Sequence, residues 1–325
     1  MSRTPQATRN SILLKLIQGG FYSGERLGNE LGISRAAVSK HIHSLMQLGL
    51  DIFSVTGKGY KLATKLQLMD AQLIRSYCQH YDAPLDLLNV VDSTNSYLKQ
   101  TADLHKPGGC CLAEAQTAGR GRQGKHWVSP FGASLYLSMY WGFLGGYQAI
   151  GGLSLAVGVA VVRALRHLGY DTVQLKWPND VYLNGKKLAG ILVEVEGQLD
   201  DTSHCFIGVG LNIQLPANQT KQIDQPWTDL HTESGQPVDR NRLAACLLDE
   251  LFNALGQFSE HGLAVFMQEW HRSNLYENKK VRLLCGPKEF TGTCLGINEQ
   301  GALVVETENG KQLFYGGEIS VRPHA

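Results

Sequence analysis

Gln116-Thr-Ala-Gly119-Arg120-Gly121-Arg122-Gln-Gly124-Lys125-His-Trp127 is the stretch on which the reading of this chain turns. Its three glycines let the backbone turn sharply and bring N–H groups close to a ligand. The guanidinium groups between them are planar, permanently charged donors suited to phosphate or carboxylate oxygens. Such a loop expects an anion. Gly119-x-Gly121-x-x-Gly124 also spells the dinucleotide fingerprint, but the fingerprint's context is missing. The loop runs into Val128-Ser-Pro130-Phe-Gly132, which argues against a helix, and no acidic residue follows until Asp171. The competing reading is a solvated basic turn.

Outward from the loop, apolar and turn-forming residues alternate in segments. Gly109–Ala115 reads as an apolar strand feeding the loop, and Leu85–Val91 as a buried strand before it. Asp92-Ser93-Thr94-Asn95 then opens a helical stretch to about Leu104. Polar side chains at such a junction offer fixed contacts to a ligand, although Ser93 or Thr94 could simply cap the helix. Asp70 is placed to cap an earlier helix reaching Tyr81.

Downstream, Ser134–Trp141 alternates as a strand, Ile150–Leu168 reads as a long buried helix, and Val173–Trp177 is a strand that ends at Pro178-Asn179-Asp180. Val181–Leu183 and Lys187–Val195 flank Asn184-Gly185, a two-residue hairpin signal. A further strand covers 204–214, and Asp239 caps an amphipathic helix bearing Ala244, Leu247, Leu248, Leu251 and Leu255. Mixed elements without strict alternation imply an α+β fold with a mixed or antiparallel sheet.

The first 66 residues differ in charge from the rest. They hold nine lysines and arginines against Glu25, Glu30 and Asp51, while the remainder holds 21 basic and 26 acidic residues. A basic head on a mildly acidic body points to a polyanion partner for the head. Ile12, Leu13, Leu16 and Ile17 recur at helical spacing before Gly19-Gly20. Ser23 can cap a short helix with Leu27 and Leu31, Gly32 makes a turn, and Ser34 can cap a helix that buries Val38, Ile42 and Leu45. A hairpin follows, turning at Thr56-Gly57-Lys58-Gly59. This is the pattern of a winged helix-turn-helix. Arg35, Ala36, Ser39, Lys40 and His43 fall on the exposed face of the third helix, where they suit a major groove, and Lys40 and Lys58 suit phosphates. A small dimerisation or docking domain is the alternative.

The chain has 325 residues, 43% hydrophobic and 18% charged, which suggests about two domains, or three if one is small. Seven cysteines without a C-x-x-C pair or a signal peptide read as reduced thiols of a cytoplasmic protein. No apolar run approaches membrane-spanning length. The eleven histidines are scattered, so no metal site of protein ligands is expected. From 273 to 325, short alternating segments (Val281–Leu284, Glu289–Gly296, Ala302–Glu306 and Gln312–Tyr315) are punctuated by glycines, and Gly316-Gly-Glu-Ile-Ser320 follows the last turn.

Asp92-Ser-Thr-Asn95, Gln116-x-Ala-Gly-Arg-Gly-Arg122, Trp127-x-Ser-Pro130, Lys176-Trp-Pro-Asn-Asp180 and Lys187-Leu-Ala-Gly-Ile-Leu192 stand in order. Together they resemble biotin–protein ligases, and with the winged head the bifunctional kind that also represses the biotin operon. The resemblance spans essentially the whole chain. It implies a DNA-binding domain at 1–66, a biotin/ATP-binding domain at 67–272 and an SH3-like β-barrel at 273–325. It further implies that biotin and MgATP give biotinyl-5′-adenylate, and that the biotinyl group passes to a lysine of biotin carboxyl carrier protein. Operator DNA and an adenylate-dependent homodimer are implied as well.

By the same resemblance, Ser93, Thr94, Asn95, Gln116, Arg120, Gly121, Arg122 and Lys187 hold biotin and its activated carboxyl, with Lys187, Arg120 and Arg122 nearest the chemistry. Gly119, Gly124, Lys125, Trp127, Asn179, Asn212 and Trp227 pack the adenylate. Apolar core is the alternative for both tryptophans, and a solvated lysine beside the turn is the alternative for Lys187. Lys125 and Gln123 depart from the family's arginines, which removes bidentate geometry at Lys125. Two other functions stay open, a ligand-sensing regulator without catalysis and a lipoate or octanoate ligase.

Overall fold

The computed structural model describes residues 4–63, 66–102, 106–197, 202–316 and 319–323. The head consists of α1 (Pro5–Ile17), α2 (Gly24–Leu31), α3 (Arg35–Gln47) and the hairpin β1 (Ile52–Val55) and β2 (Gly59–Leu62). Ser23 accepts from the Arg26 N–H and Ser34 from the Ala37 N–H, so both expected caps form. Gly32 ends α2 in the left-handed region at φ 70°. Ile12, Leu13, Leu16, Leu27, Val38, Ile42 and Leu45 make the core. The hairpin is tied to the helices where Tyr22 and Tyr60 exchange backbone hydrogen bonds, both 2.9 Å.

The body is a seven-stranded mixed sheet formed by β3 (Leu85–Val91), β4 (Cys110–Gln116), β5 (Ser134–Phe143), β6 (Val173–Lys176), β7 (Asp180–Leu183), β8 (Lys186–Glu196) and β9 (Ser203–Asn212). Their order is β3-β4-β5-β9-β8-β7-β6, with only β3 and β4 parallel. The long helices α6 (Leu153–His167) and α8 (Arg240–His261) share its main apolar core, while the short α5 (Thr94–Gln100) packs on β4, β5 and β9.

Two helices are shorter than their periodicity predicts. α4 (Ala71–Tyr77) stops before Tyr81 because the Asp249 carboxylate on α8 accepts the N–H groups of Gln79, His80 and Tyr81, drawing the chain out of the helix. α5 ends at Gln100, and Leu104 lies outside the described residues. The membrane expectation also needs correction. Gly146–His167 is long and apolar enough to cross a membrane, but most of it is buried as a core helix of the sheet.

The short helices α7 (Leu230–Ser234) and α9 (Met267–Ser273) complete the body. Beyond them, β10 (Lys280–Cys285), β11 (Lys288–Ile297), β12 (Leu303–Thr307), β13 (Gly310–Phe314) and β14 (Ile319–Pro323) form an antiparallel sheet in the order β13-β12-β11-β10-β14. Gly317 and Glu318 lie outside the described residues. Ile319 and Ser320, read from the sequence as following the last turn, begin β14, which pairs with β10. The apolar core continues from Phe266 and Trp270 into Val281, Leu283, Ile297 and Val305 without a break.

The head is joined to the body by packing and by polar contacts. Phe131, just beyond the ligand loop, belongs to the head's core and donates its N–H to Leu48 at the end of α3 at 2.8 Å. In the connecting segment, Met69 N–H donates to Glu114 on β4 at 2.6 Å. The buried Arg240 donates to the other Glu114 oxygen at 2.6 Å, to Gln67 O and to Ser134 O. A buried carboxylate that engaged is costly to leave with either partner removed.

Candidate functional site

The N-terminus of α5, the loop after β4, strands β8 and β9, residues 222–227 and β14 enclose a cleft of about 410 Å³. At one end lie the junction residues. Ser93 occupies the N-cap position, but its hydroxyl does not cap α5, and it is 3% exposed. Gln116 does that work from β4, where its Oε1 accepts from the Thr94 N–H at 2.9 Å and from the Thr94 hydroxyl at 3.2 Å. Ser138 on β5 lies 2.7 Å from Thr94 Oγ1 and 2.6 Å from Asn95 Oδ1, and its one proton serves either. The capping alternative therefore fails for Ser93, whose hydroxyl lies at a lined, polar end of the cleft.

The loop is a tight hairpin. Arg120 bridges His126, Gly121 N–H donates to Lys125 O at 2.7 Å, and Trp127 N–H to Gly119 O at 2.9 Å. Gly121 lines the cleft; Gly119 and Gly124 do not. A Cβ at Gly119 would collide with Ser129 Oγ, so that glycine serves the return of the chain. Gly124 is in the left-handed region at φ 68°, and Gln123 at 57°.

Strand β8 carries an irregularity that decides the site. Val181 pairs with Ala189 but Tyr182 pairs with Lys187, so Leu188 is an extra residue. Alternation would place Lys187 on the opposite face from Gly190, Leu192 and Glu194, but the bulge returns it to their face. Accordingly, Lys187 Cε lies 3.5 Å from the position of a Cβ built on Gly190. Lys187 Nζ is 2.7 Å from Asp180 Oδ1 and 5.4 Å from the centre of the Trp127 ring. Its neighbour Lys186 is exposed.

Further cations converge. Arg122 donates to Asn179 Oδ1 at 3.1 Å, and Asn179 donates to Ile191 O at 2.8 Å. Burial lowers the Arg122 pKa, opposed by Asp180. Lys176, 6% exposed, lies 3.1 Å from the Tyr182 hydroxyl. Burial above all presses its pKa down to about 8; Asp180 opposes this, and Arg322, Lys187 and Lys125 reinforce it. Arg120 instead faces Glu194, with Nη2 3.1 Å from Oε2.

Trp127 covers the glycines of two strands. A Cβ at Gly210 would meet its ring at 2.6 Å and one at Gly190 at 3.0 Å. Its Nε1 is buried without a hydrogen-bond partner among the described residues. The ring therefore lines the cleft and is absent from the apolar core. Trp227 also lines the cleft, and Asn212 donates to Thr228 O at 3.0 Å.

Family models match residues 8–61 (HTH domain), 87–212 (Biotin/lipoate A/B protein ligase family) and 278–322 (Biotin protein ligase C terminal domain). The bifunctional ligase/repressor BirA of Escherichia coli (strain K12) is 45% identical over 317 residues, covering 96% of this chain and 98% of that protein. That of Bacillus subtilis (strain 168) is 30% identical over 96% of this chain and 98% of its own. The chain belongs to the bifunctional biotin ligase/repressor family. It is a biotin–[acetyl-CoA-carboxylase] ligase joined to a DNA-binding repressor head. A biotin protein ligase from Aquifex aeolicus, solved in complex with biotin and ATP, superposes with a TM-score of 0.63 at 30% identity. The match covers 74% of this chain and 99% of that one.

Within this biotin ligase, the structure brings Ser93, Thr94, Asn95, Gln116, Arg120, Gly121, Arg122, Lys125, Trp127, Asn179, Lys187, Asn212 and Trp227 to one cleft. Sequence reasoning missed Lys176, Asp180, Gly210 and Arg322. The first two stand in the Lys176–Asp180 block, where a strand broken by proline carries charge at both ends. Arg322 gave no local signal, because only the fold brings β14 to the cleft. In the head, Ser34, Arg35, Ala36, Ser39, Lys40, His43 and Lys58 are all exposed.

Proposed function

We propose that the cleft forms biotinyl-5′-adenylate and holds it for transfer. A biotin carboxylate oxygen attacks the α-phosphorus of ATP, the bond to the pyrophosphate breaks, and a mixed anhydride remains. The amine of a carrier-protein lysine then attacks the acyl carbon and AMP leaves. The observation that carries this reading is Lys187, aimed by Asp180 into a cleft that also holds Arg122 and Lys176. Two anions must meet in the first step, and preset cations lower that cost without reorganising.

Ser93, Thr94, Asn95 and Gln116 offer the mixed donors and acceptors that a ureido group needs, so biotin lies with its ring system at that end. Its carboxyl then points toward Arg122 and Lys187. Trp127 packs along the adenylate and, with the hairpin loop, excludes water from a labile anhydride. Mg²⁺ enters on the triphosphate, an ion that keeps several waters and takes few protein ligands. Among the described residues, no group of three or more His, Cys, Asp or Glu could hold a metal.

Residues 1–66, 67–272 and 273–325 serve as DNA-binding, catalytic and C-terminal units in a cytoplasmic protein. The head meets operator DNA through Ser34, Arg35, Ala36, Ser39, Lys40, His43 and Lys58. Adenylate promotes a homodimer and strengthens that binding, since a ligand favouring one arrangement shifts the population toward it. The acceptor is biotin carboxyl carrier protein. Incubation with biotin and MgATP should release pyrophosphate and label that carrier on lysine; absence of both, with ligand binding intact, would leave a sensor without catalysis. Unchanged sedimentation and operator affinity on adding the adenylate at fixed salt would remove the regulatory half.

A further inference from the structure

Glu194 lies near the far end of β8 from Lys187, and one carboxylate there serves two segments. Its Oε2 is 3.1 Å from Arg120 Nη2 and accepts from Asn95 Nδ2 at 2.7 Å. Its Oε1 is 3.4 Å from Arg120 Nε and 3.5 Å from Lys99 Nζ. Arg120 belongs to the hairpin loop, and Asn95 and Lys99 belong to α5. Through the bulge at Leu188, Glu194 shares the cleft face of β8 with Lys187. Asn95 packs close against β9, where a Cβ on Gly208 would meet its Oδ1 at 2.8 Å.

We infer that Glu194 is a positioning residue for ligation, fixing the loop through Arg120 and the start of α5 through Asn95 to the strand that carries Lys187. This rests on the biotin-ligase reading of the cleft. Arg120 is then the anchor of the loop, its charge matched by Glu194, while Arg122, Lys176 and Lys187 meet the reacting anions. A carboxylate suits this task because it accepts from a guanidinium and an amide at once. An amide at the same position keeps one acceptor and leaves the guanidinium without its counter-charge.

The test compares wild type, Glu194→Gln and Glu194→Asp in steady-state pyrophosphate release from biotin and MgATP with saturating biotin carboxyl carrier protein, in tryptic cleavage after Arg120, Arg122 and Lys125 without substrate, and in thermal melting. For the Gln variant, biotin KM should rise roughly tenfold with kcat within roughly twofold, because a loosened loop must be ordered on binding, a cost that falls alike on ground state and transition state. Its loop should also be cut faster at an unchanged melting temperature, and the Asp variant should recover part of both losses. Unchanged KM and cleavage in the Gln variant would overturn the proposal. So would a fall in kcat at constant KM, or a lowered melting temperature that accounts for both losses without rescue by Asp. Wild-type protein that released no pyrophosphate would remove the reading of the cleft instead, and the cleavage comparison would still decide the role of Glu194.

Discussion

Lys187 and Asp180, on neighbouring strands, place Nζ 2.7 Å from Oδ1, with 15% and 16% of their side chains exposed. The carboxylate limits the ammonium's rotamers, while the Trp127 ring covers its side. Lys187→Met should slow adenylate formation by about 10²–10³-fold, the usual cost of losing one preset electrostatic donor. Single-turnover pyrophosphate release measures it, and wild-type speed in that variant would refute the assigned role. Asp180→Asn keeps the charge but loses its aim, and should cost roughly tenfold.

Lys176 should give the reaction a basic limb. Burial lowers its pKa from 10.5 to about 8, so above that pH the folded protein loses one of the cleft's cations. The apparent ATP KM should therefore rise with pH above about 8, and Lys176→Met should show a weaker but flatter profile. Stability runs the other way. Between about 8 and 10.5 the unfolded chain binds more protons than the folded one, so this lysine's contribution to stability rises with pH. An ATP KM profile equally steep in Lys176→Met would disprove the assignment.

Gly210→Ala tests the contact beneath Trp127. The added carbon would sit 2.6 Å from the indole near the end of β9, where pairing with Tyr136 on one side and Gly190 on the other holds the backbone. The ring must move, which should cost about 1–3 kcal/mol of overpacking and lower adenylate affinity at least roughly tenfold by displacing one wall. Calorimetric titration with a non-hydrolysable adenylate decides it; unaltered affinity would show that the ring packs no ligand.

Lys40→Ala should weaken operator binding across sequences and reduce the slope of log affinity against log salt by about 1. Ser39 and His43 lie on the same exposed face, and their replacement should alter preference among operator variants at little cost in salt slope. Anisotropy titrations over a salt series separate the two behaviours. An unchanged slope in Lys40→Ala would take that lysine off the phosphate backbone.

Phe131→Ala opens the head's core from the body side. Phe131 is 4% exposed, and truncating such a ring typically costs about 3–5 kcal/mol. Proteolysis between 49 and 70 should accelerate, and the effect of adenylate on operator affinity should shrink, since Phe131 ties the loop region to the end of α3. Full coupling in a folded Phe131→Ala protein would move the connection elsewhere.

The head was legible nearly to the residue because its signals are local: Ser23 and Ser34 cap, Gly32 turns, and apolar spacing chooses the buried face. Asn184-Gly185 likewise marked its hairpin through two left-handed residues, at φ 49° and 76°. Signals failed where a distant group intervened. No pattern within 70–81 announces that Asp249, some 170 residues away, stops α4 at Tyr77.

The same division runs through the cleft. Chemical types in sequence order marked a glycine–arginine loop, a polar strand–helix junction and a lysine-bearing hairpin, and order alone identified the family. Tertiary structure decided which of these charges face one another. The extra residue in β8 turns Lys187 to the side of Gly190 and Glu194, pairing spends Arg120 on Glu194, and β14 delivers Arg322 from the far end of the chain. The reason is physical. Backbone conformation answers to neighbours a few residues apart, whereas burial, ion pairing and the face a strand presents depend on contacts that exist only once the sheet has closed around them.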